Sequence, residues 1–331
     1  MAEWKRWTDG IAQQHRLVAW RRDGALDAAT FAHAQQLLGP VPDAAQWRRF
    51  IDGLALWLGV ALLAAGAICF IAANWDQIGK FARLYGMQVV LVGAVIAAAW
   101  LGIARIVGQA ALFLATVLLG GLLALIGQTY QTGADTWELF ALWTALALPW
   151  ALAGRNAALW LLWAAILNVA VALWLGLRPQ FWFGDWDTAA MVGVLNLALL
   201  AGWELAANRW PEFHGRAGPR LLAAAALLGL TINGIVDVVD GERLRFGAAT
   251  GVWLLAALVL GYVYLRRRRD LAILAMLALS VIAISTCWLG RILLDGPGEA
   301  IGAWLVLALL VIGQAAAAAI ALRRLAQEEA A

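Results

Sequence analysis

Residues 53–73 read GLALWLGVALLAAGAICFIAA, a run without a single charged residue. An α-helix needs about 20 consecutive apolar residues to cross the hydrocarbon core of a bilayer. The run therefore predicts a transmembrane helix. It begins too far from the first residue for a cleavable signal peptide, so we expect the helix to remain in the protein.

The whole chain has the composition of a membrane protein. Its 331 residues are 64% hydrophobic and 14% charged, whereas soluble domains have about 45–50% apolar and roughly 25% charged residues. Twenty tryptophans stand against four tyrosines, and tryptophan favours the membrane–water interface. A chain this apolar cannot cover itself with polar surface, so lipid is its expected solvent.

Apolar runs recur at nearly regular spacing along the chain. The predicted spans are 53–73, 84–104, 108–126, 138–153, 157–176, 189–207, 220–239, 247–265, 271–290 and 300–322. The fourth is short and contains Pro149, and merging it with a neighbour would leave nine. The predicted fold class is thus all-α: a polytopic membrane helical bundle of about ten transmembrane helices over residues 51–325.

A short cytosolic helical segment is predicted before the bundle, over residues 1–50. Within it, Asp27 is a good N-cap for a helix over residues 28–38. Gly39 and Pro40 then stop that helix. We expect this segment to form a small helical hairpin at the membrane surface.

Lysine and arginine placement predicts the orientation. With the N-terminus inside, 18 of the 24 lysines and arginines fall in inner segments and six fall outside. This is the asymmetry that the positive-inside rule requires. We therefore expect a multi-pass protein of a cytoplasmic (inner) membrane with both termini in the cytoplasm.

Two polar segments fall on the predicted outer side. Residues 70–80, FIAANWDQIGK, leave the first span, and residues 127–138, GQTYQTGADTWE, join the third span to the fourth. Polar, non-helical backbone near membrane depth is tolerated only where it is buried in protein or lines a wet cavity. The predicted polar outer site consists of Asn74, Trp75, Asp76, Gln128, Tyr130, Gln131 and Asp135.

Helix capping is the alternative interpretation of the carboxylates in these segments. Asp135 and Glu138 have capping-box spacing at the start of the fourth span, and Asp76 can cap a short interfacial helix. Trp75 can be an ordinary interfacial anchor. Capping leaves the polar side chains of residues 128–131 unexplained. For residues 127–138 as a whole we therefore favour a functional role over a purely structural one.

A few polar residues lie within the spans. Asn168 and Asn196 fall near the middles of adjacent spans, where we expect a hydrogen bond between the two helices. Asn233 and Asp237 are four residues apart and share one helix face. Asp237 is the best candidate for a protonatable intramembrane group; reaching water at the outer end of its span is the alternative.

Charged residues at the inner ends of the spans are expected to act in orientation and surface electrostatics. Glu204 is expected to pair with Arg209 or Arg220. The run from Arg266 to Arg269 is most simply a topology anchor, with anionic lipid headgroups as the alternative partner.

Three stretches of the chain resemble a known family. They are WRRDGALDAATFAHAQQLL at residues 20–38, FIAANWDQIGKFARL at residues 70–84 and IGQTYQTGADTWELFALW at residues 126–143. Together they resemble the bacterial membrane-protein family called domain of unknown function 2157, over about residues 15–153. The resemblance implies a bacterial membrane protein with a cytosolic helical lead-in. The family carries no agreed activity, so the resemblance implies no reaction, cofactor or partner.

Function is predicted only in outline. No phosphate-binding loop, zinc-protease motif or serine nucleophile elbow is visible, so we expect no catalytic residues, no metal, no cofactor and no enzyme. The favoured hypothesis is a permease-like protein with the polar site on its extracytoplasmic side. The alternative is a non-catalytic membrane scaffold or envelope-assembly partner. Expected partners are the lipid bilayer, a membrane protein or a second copy of the chain, and a small solute, but not nucleic acid.

Overall fold

The computed structural model describes residues 17, 20–38, 44–74, 77–131, 133–177, 188–240, 248–294 and 300–330, and within these ranges it contains helices and turns but no strand. The predicted all-α fold class is therefore confirmed. The elements, in chain order, are α1 (Ala28–Leu38), α2 (Ala44–Ala73), α3 (Lys80–Leu101), α4 (Ile106–Tyr130), α5 (Thr136–Gly154), α6 (Ala157–Gly176), α7 (Thr188–Ala206), a 3-10 turn (Pro211–Phe213), α8 (Ala217–Asp240), α9 (Ala248–Tyr262), a π-helix (Val263–Arg267), α10 (Leu271–Leu294) and α11 (Ala300–Ala330).

Helix α1 begins where the sequence predicts. The backbone N–H of Thr30 donates a hydrogen bond of 2.8 Å to Oδ1 of Asp27. The first N–H groups of a helix have no partner within the helix, so this bond is the capping interaction expected of Asp27.

The chain divides into two compact units, Met1–Thr129 and Tyr130–Ala331. In the first unit α4 packs against α2 and α3. The rings of Trp57 and Phe113 meet edge to face at 5.5 Å, and the space above Gly121 is filled by the side chains of Met87 and Ile68. The outward faces of α2 and α3 expose many large apolar side chains, as helices that contact lipid do.

In the second unit, helices adjacent in the chain pack in succession. Helix α5 contacts α6, α6 contacts α7, and α7 contacts α8. Helix α8 also contacts α9 and α10, and α10 contacts α11. The core at one end of these helices buries Trp203, Phe213, Leu260, Tyr264 and Ile273. Helix α8 is therefore the central element of this unit.

Close approach of α7 and α8 depends on two glycines. A Cβ atom on Gly229 would lie 2.4 Å from the backbone oxygen of Ala189, and one on Gly193 would lie 2.9 Å from Cγ of Leu230. Small residues let helix backbones approach closely in membranes, where apolar side chains gain nothing by leaving lipid. The α7–α8 contact uses this device.

Nine of the described helices are long and apolar enough to cross a membrane, judged by length and composition: α2 to α8, α10 and α11. Among them is α5, the short fourth span, which has 19 residues with Pro149 inside it. The remaining predicted span, 247–265, corresponds to α9, which has only 15 residues.

Contacts at both ends of α9 show that it covers most of the length of α8. Thr250 in its first turn donates to Asp237 near the end of α8, and Asp270 beyond the π-helix accepts from Arg220 near the start of α8. Arg220 and Asp237 lie about 26 Å apart along an ideal helix axis, close to the roughly 30 Å of a hydrocarbon core. Helix α9 together with its π-helix therefore runs beside α8 over most of that length.

Candidate functional site

The first segment of the predicted outer site is only partly described. The side-chain amide of Asn74 donates a hydrogen bond of 2.8 Å to the backbone oxygen of Phe70, which ties Asn74 to the end of α2. Trp75 and Asp76 lie outside the described residues. The structure thus gives Asn74 a local role, and its part in a binding site stays a prediction.

The second segment of the predicted outer site is exposed. Gln128 and Tyr130 lie in the last turn of α4, and Gln131 follows with a φ of +47°, a conformation that non-glycine residues adopt rarely. Asp135 occupies the N-cap position of α5, as its spacing predicts, but its carboxylate accepts no capping hydrogen bond from the described residues. Gln128 belongs to the first compact unit and Asp135 to the second, so one shared site with Asn74 stays a prediction.

Asp237 caps a neighbouring helix. Its Oδ2 accepts hydrogen bonds from the backbone N–H of Thr250 at 3.2 Å and from the Thr250 hydroxyl at 3.0 Å. Thr250 lies in the first turn of α9, whose N–H groups need such an acceptor. The protonatable role of Asp237 stays a prediction beside this structural one. Asn233, one turn away, is buried, and its Oδ1 finds no donor among the described residues.

The predicted bond between Asn168 and Asn196 is confirmed. Nδ2 of Asn196 donates to Oδ1 of Asn168 at 2.6 Å, and Nδ2 of Asn168 donates back at 3.3 Å. Each amide also donates to a backbone oxygen one turn earlier in its own helix, that of Ala164 or Val192. The pair therefore satisfies its own N–H groups and joins α6 to α7.

Three segments of the second unit meet in an ion-pair cluster on the predicted inner side. We use this name for Glu204, Asn208, Arg216, Arg220, Tyr264, Arg268 and Asp270. Glu204 accepts hydrogen bonds from Arg216 at 3.1 Å, from the Tyr264 hydroxyl at 2.9 Å and from Arg268.

The cluster corrects two expectations about the inner charges. Glu204 pairs with Arg216 and Arg268, not with Arg209 or Arg220, and its side chain is only 12% exposed. Surface electrostatics was therefore the wrong description. Arg268 also leaves the exposed arginine run, because it binds Glu204 and the side chain of Asn208. The partners come from segments far apart in the sequence, which spacing alone could not reveal.

Asp270 is the most buried member of the cluster, with a side chain that is 1% exposed. It accepts hydrogen bonds from Nε of Arg216 at 2.9 Å and Nε of Arg220 at 3.1 Å. It also accepts from the backbone N–H of Ala272 at 3.0 Å, so it caps α10. Burial by itself raises the pKa of Asp270, but the hydrogen bonds from Arg220 and Arg216 outweigh burial and hold that pKa below its ordinary value.

Beside the cluster is a cavity of about 570 Å³, which we call the inner cavity. Its walls are α5, α6, α7, the 3-10 turn and the start of α8. Its lining is mostly aromatic and aliphatic and includes Trp160, Trp163, Trp203, Trp210 and Phe213. The density of tryptophan at the inner ends of the fifth and sixth spans is a sequence signal for such a cavity, but the general preference of tryptophan for the membrane–water interface explains the same pattern.

The polar groups of the inner cavity are few. Arg155, in a left-handed conformation after α5, approaches Glu212 with its Nε at 3.5 Å from Oε1. The indole N–H groups of Trp163 and Trp203 bond to backbone oxygens. The indole N–H of Trp160 is buried and finds no acceptor among the described residues. The cavity thus offers the cation of Arg155, the carboxylate of Glu212 and, in Trp160, a buried donor without an acceptor among the described residues.

A second cavity, of about 760 Å³, lies along α6, α7 and α8, and we call it the membrane groove. It extends on α6 from Leu161 to Ala172 and on α8 from Leu221 to Ile232. Two residues, Ala164 and Leu222, line both the groove and the inner cavity. The two cavities therefore adjoin along the same three helices.

Nine described helices are long and apolar enough to cross a membrane, and the second unit has an aromatic cavity at one end of its helices; these features define a polytopic α-helical membrane protein. Residues 18–160 match the family described as "Predicted membrane protein (DUF2157)", which confirms the predicted resemblance over that part of the chain. No curated protein and no solved structure shows significant similarity to the chain. The matched region ends within α6, so most of the inner cavity and the membrane groove lies beyond it.

Proposed function

We propose that the chain is a permease-like protein of a bacterial inner membrane, with both termini in the cytoplasm. The observation that carries the proposal is that the inner cavity and the membrane groove share Ala164 and Leu222. A solute carrier needs a cavity that opens at one face and adjoins a path toward the other. The lysine and arginine excess of the predicted inner segments supports the orientation.

The predicted outer site is part of this proposal as a polar mouth on the extracytoplasmic side, which we call the outer mouth. Its members are Asn74, Trp75, Asp76, Gln128, Tyr130, Gln131 and Asp135. Asp237 is the proposed proton-linked carboxylate. Its two hydrogen bonds from Thr250 connect it to the start of α9.

The proposal is tested by the accessibility of single cysteines in membrane vesicles of both orientations. The background carries Cys69→Ala and Cys287→Ala, which removes both native cysteines. Gly202→Cys, in the inner cavity, should react with a membrane-impermeant thiol reagent from the predicted cytoplasmic face. Ala164→Cys, at the junction of the cavities, should react from both faces, because a carrier exposes its central site alternately.

Leu279→Cys is the matched control, because this side chain is 67% exposed on the outward face of α10 and should react from neither face. Reaction of Ala164→Cys from one face only contradicts transport. It favours instead the alternative of a non-catalytic scaffold or envelope-assembly partner, which predicts a stoichiometric second protein after extraction in mild detergent.

A further inference from the structure

We propose that the inner cavity and the membrane groove together bind a single-chain anionic amphiphile, a long-chain carboxylate. Its head lies at Arg155 in the inner cavity, and its alkyl chain lies along α6, α7 and α8. This inference rests on the proposed function, for which it names the substrate class.

The groove has the length and surface that an alkyl chain requires. The eleven-residue separation between Leu221 and Ile232 on α8 corresponds to about 16 Å of helix axis, and half of a hydrocarbon core is about 15 Å. Its lining is mostly aliphatic, with small residues such as Ala165 and Ala172 that leave room for a chain. An alkyl chain of one leaflet's length therefore fits along it.

The two asparagines that line the groove have no free N–H groups with which to bind a polar ligand. Asn168 and Asn196 both line it, but their amide N–H groups are already bonded to each other and to their own helices. A hydrophilic solute would find no unused donor in this pair. An alkyl chain loses nothing by covering it, because no hydrogen bond has to be broken.

The inner cavity supplies the donors for an anionic head. The Arg155 side chain is 63% exposed, and its closest approach to Glu212 is 3.5 Å. The Glu212 side chain is only 9% exposed, so the guanidinium stays beside it. Solvent screens the exposed cation, so this long contact contributes little, and the other N–H groups of Arg155 can bind a second carboxylate, for which the guanidinium geometry is suited. The buried N–H of Trp160 is a second donor without an acceptor among the described residues.

Access for the chain comes from the bilayer itself. Leu221, Leu228 and Ile232 line the groove and are at the same time largely exposed. In a membrane that exposed side meets lipid, so a chain can enter sideways while its head stays at the level of the headgroups. The same three helices line both cavities and leave one channel, and one channel takes one chain.

The test is photocrosslinking in phosphatidylcholine nanodiscs with three probes that carry the same diazirine-labelled chain. The probes are a long-chain fatty acid, phosphatidylglycerol and phosphatidylcholine, and the crosslinked peptides are mapped. We expect the fatty acid to label α6, α7 and α8 within the groove. Arg155→Gln should lower this labelling about fivefold, the contribution of one basic side chain near an anionic headgroup, and Arg155→Lys should restore much of it.

Two matched pairs separate specific binding from damage to the fold. Ala165→Phe fills the groove at an exposed position and should abolish labelling there, whereas Ala201→Phe, exposed on α7 and outside the groove, should not. Arg266→Gln, an exposed arginine of the π-helix, should leave labelling unchanged. All variants are compared at equal folded yield.

Two outcomes with the phospholipid probes overturn the inference. Equal labelling by phosphatidylglycerol with the same dependence on Arg155 identifies a membrane phospholipid as the occupant. Equal labelling by phosphatidylcholine that does not depend on Arg155 shows that ordinary boundary lipid occupies the groove. Fatty-acid labelling combined with one-sided reaction of Ala164→Cys keeps the binding site but removes transport, so failure of the proposed function is distinguishable from failure of this inference.

Discussion

The polar side chains at the two predicted faces of the membrane differ in their partners. On the inner face Glu204 and Asp270 are nearly excluded from solvent, and each accepts hydrogen bonds from two arginines. On the outer face Gln128, Gln131 and Asp135 are exposed. Glu204 and Asp270 hold helices together on the inner face, whereas these three outer side chains remain exposed to solvent. Substitution of Glu204 or Asp270 should therefore destabilise the fold, and substitution of the three outer residues should leave it intact.

The largest effect is expected from Asp270→Asn. The change leaves Arg216 and Arg220 without their shared carboxylate, and breaking a buried pair typically costs about 3–5 kcal/mol. We expect the lower end of that range, because both arginines keep partial contact with solvent. The measurement is the free energy of unfolding in detergent. Glu328→Gln is the control, since its pair with Arg269 is long and exposed and should contribute about 0–1 kcal/mol.

Acid should produce part of the same loss without a mutation. The pKa of Asp270 is lower in the folded protein than its ordinary value, so the folded state favours the ionised form. Its contribution to stability is fully present above the unfolded-state pKa of about 3.9. The contribution is lost as pH falls through the lower folded-state pKa. Unfolding midpoints measured between neutral pH and pH of about 3 should fall less steeply for Asp270→Asn than for the parent chain. Parallel curves would contradict the assignment.

Gly229→Ala should have the next largest effect. The added methyl group would lie 2.4 Å from the backbone oxygen of Ala189, so α7 and α8 must move apart. Overpacking of this kind costs about 1–3 kcal/mol. Gly313→Ala in α11 is the matched control, because nothing lies within 4 Å of its added Cβ, and there alanine should be neutral or slightly stabilising. Equal stability of the two variants would show that the α7–α8 contact tolerates a wider spacing.

We expect a smaller effect from the hydrogen bond between Asn168 and Asn196. A double-mutant cycle of Asn168→Leu and Asn196→Leu should give a coupling of about 0.6 kcal/mol, the average for hydrogen bonds between transmembrane helices. The buried position of Asn196 makes its single substitution the more damaging of the two. A coupling near zero would mean that each amide relies on its own backbone acceptor, Ala164 or Val192.

Contacts that depend on local or regular patterns were predictable from the sequence. The Asp27 cap follows from its position before α1, and the bond between Asn168 and Asn196 follows from their depth in adjacent spans. The short fourth span was also predicted correctly, since α5 spans 19 residues despite Pro149.

Contacts that join distant segments were not predictable. Arg268 and Asp270 reach Glu204 and Arg216 because the π-helix continues α9 as far as the start of α8, and no spacing rule contains that information. The inner cavity was not predicted for the same reason, since its aromatic walls come from α6, α7 and the region of the 3-10 turn. Consecutive polar residues in the chain predicted a site only in the two outer segments.

Asp135→Asn should have the smallest effect on stability and the clearest effect on transport. Asp135 is exposed and accepts no capping hydrogen bond from the described residues, so its substitution should change the free energy of unfolding by no more than about 0.5 kcal/mol. If the outer mouth belongs to the solute route, the same variant should lose the reaction of Ala164→Cys from the outer face while keeping the reaction from the inner face. Unchanged reaction from both faces would remove Asp135 from the route, and a large loss of stability would show that its carboxylate has a structural partner after all.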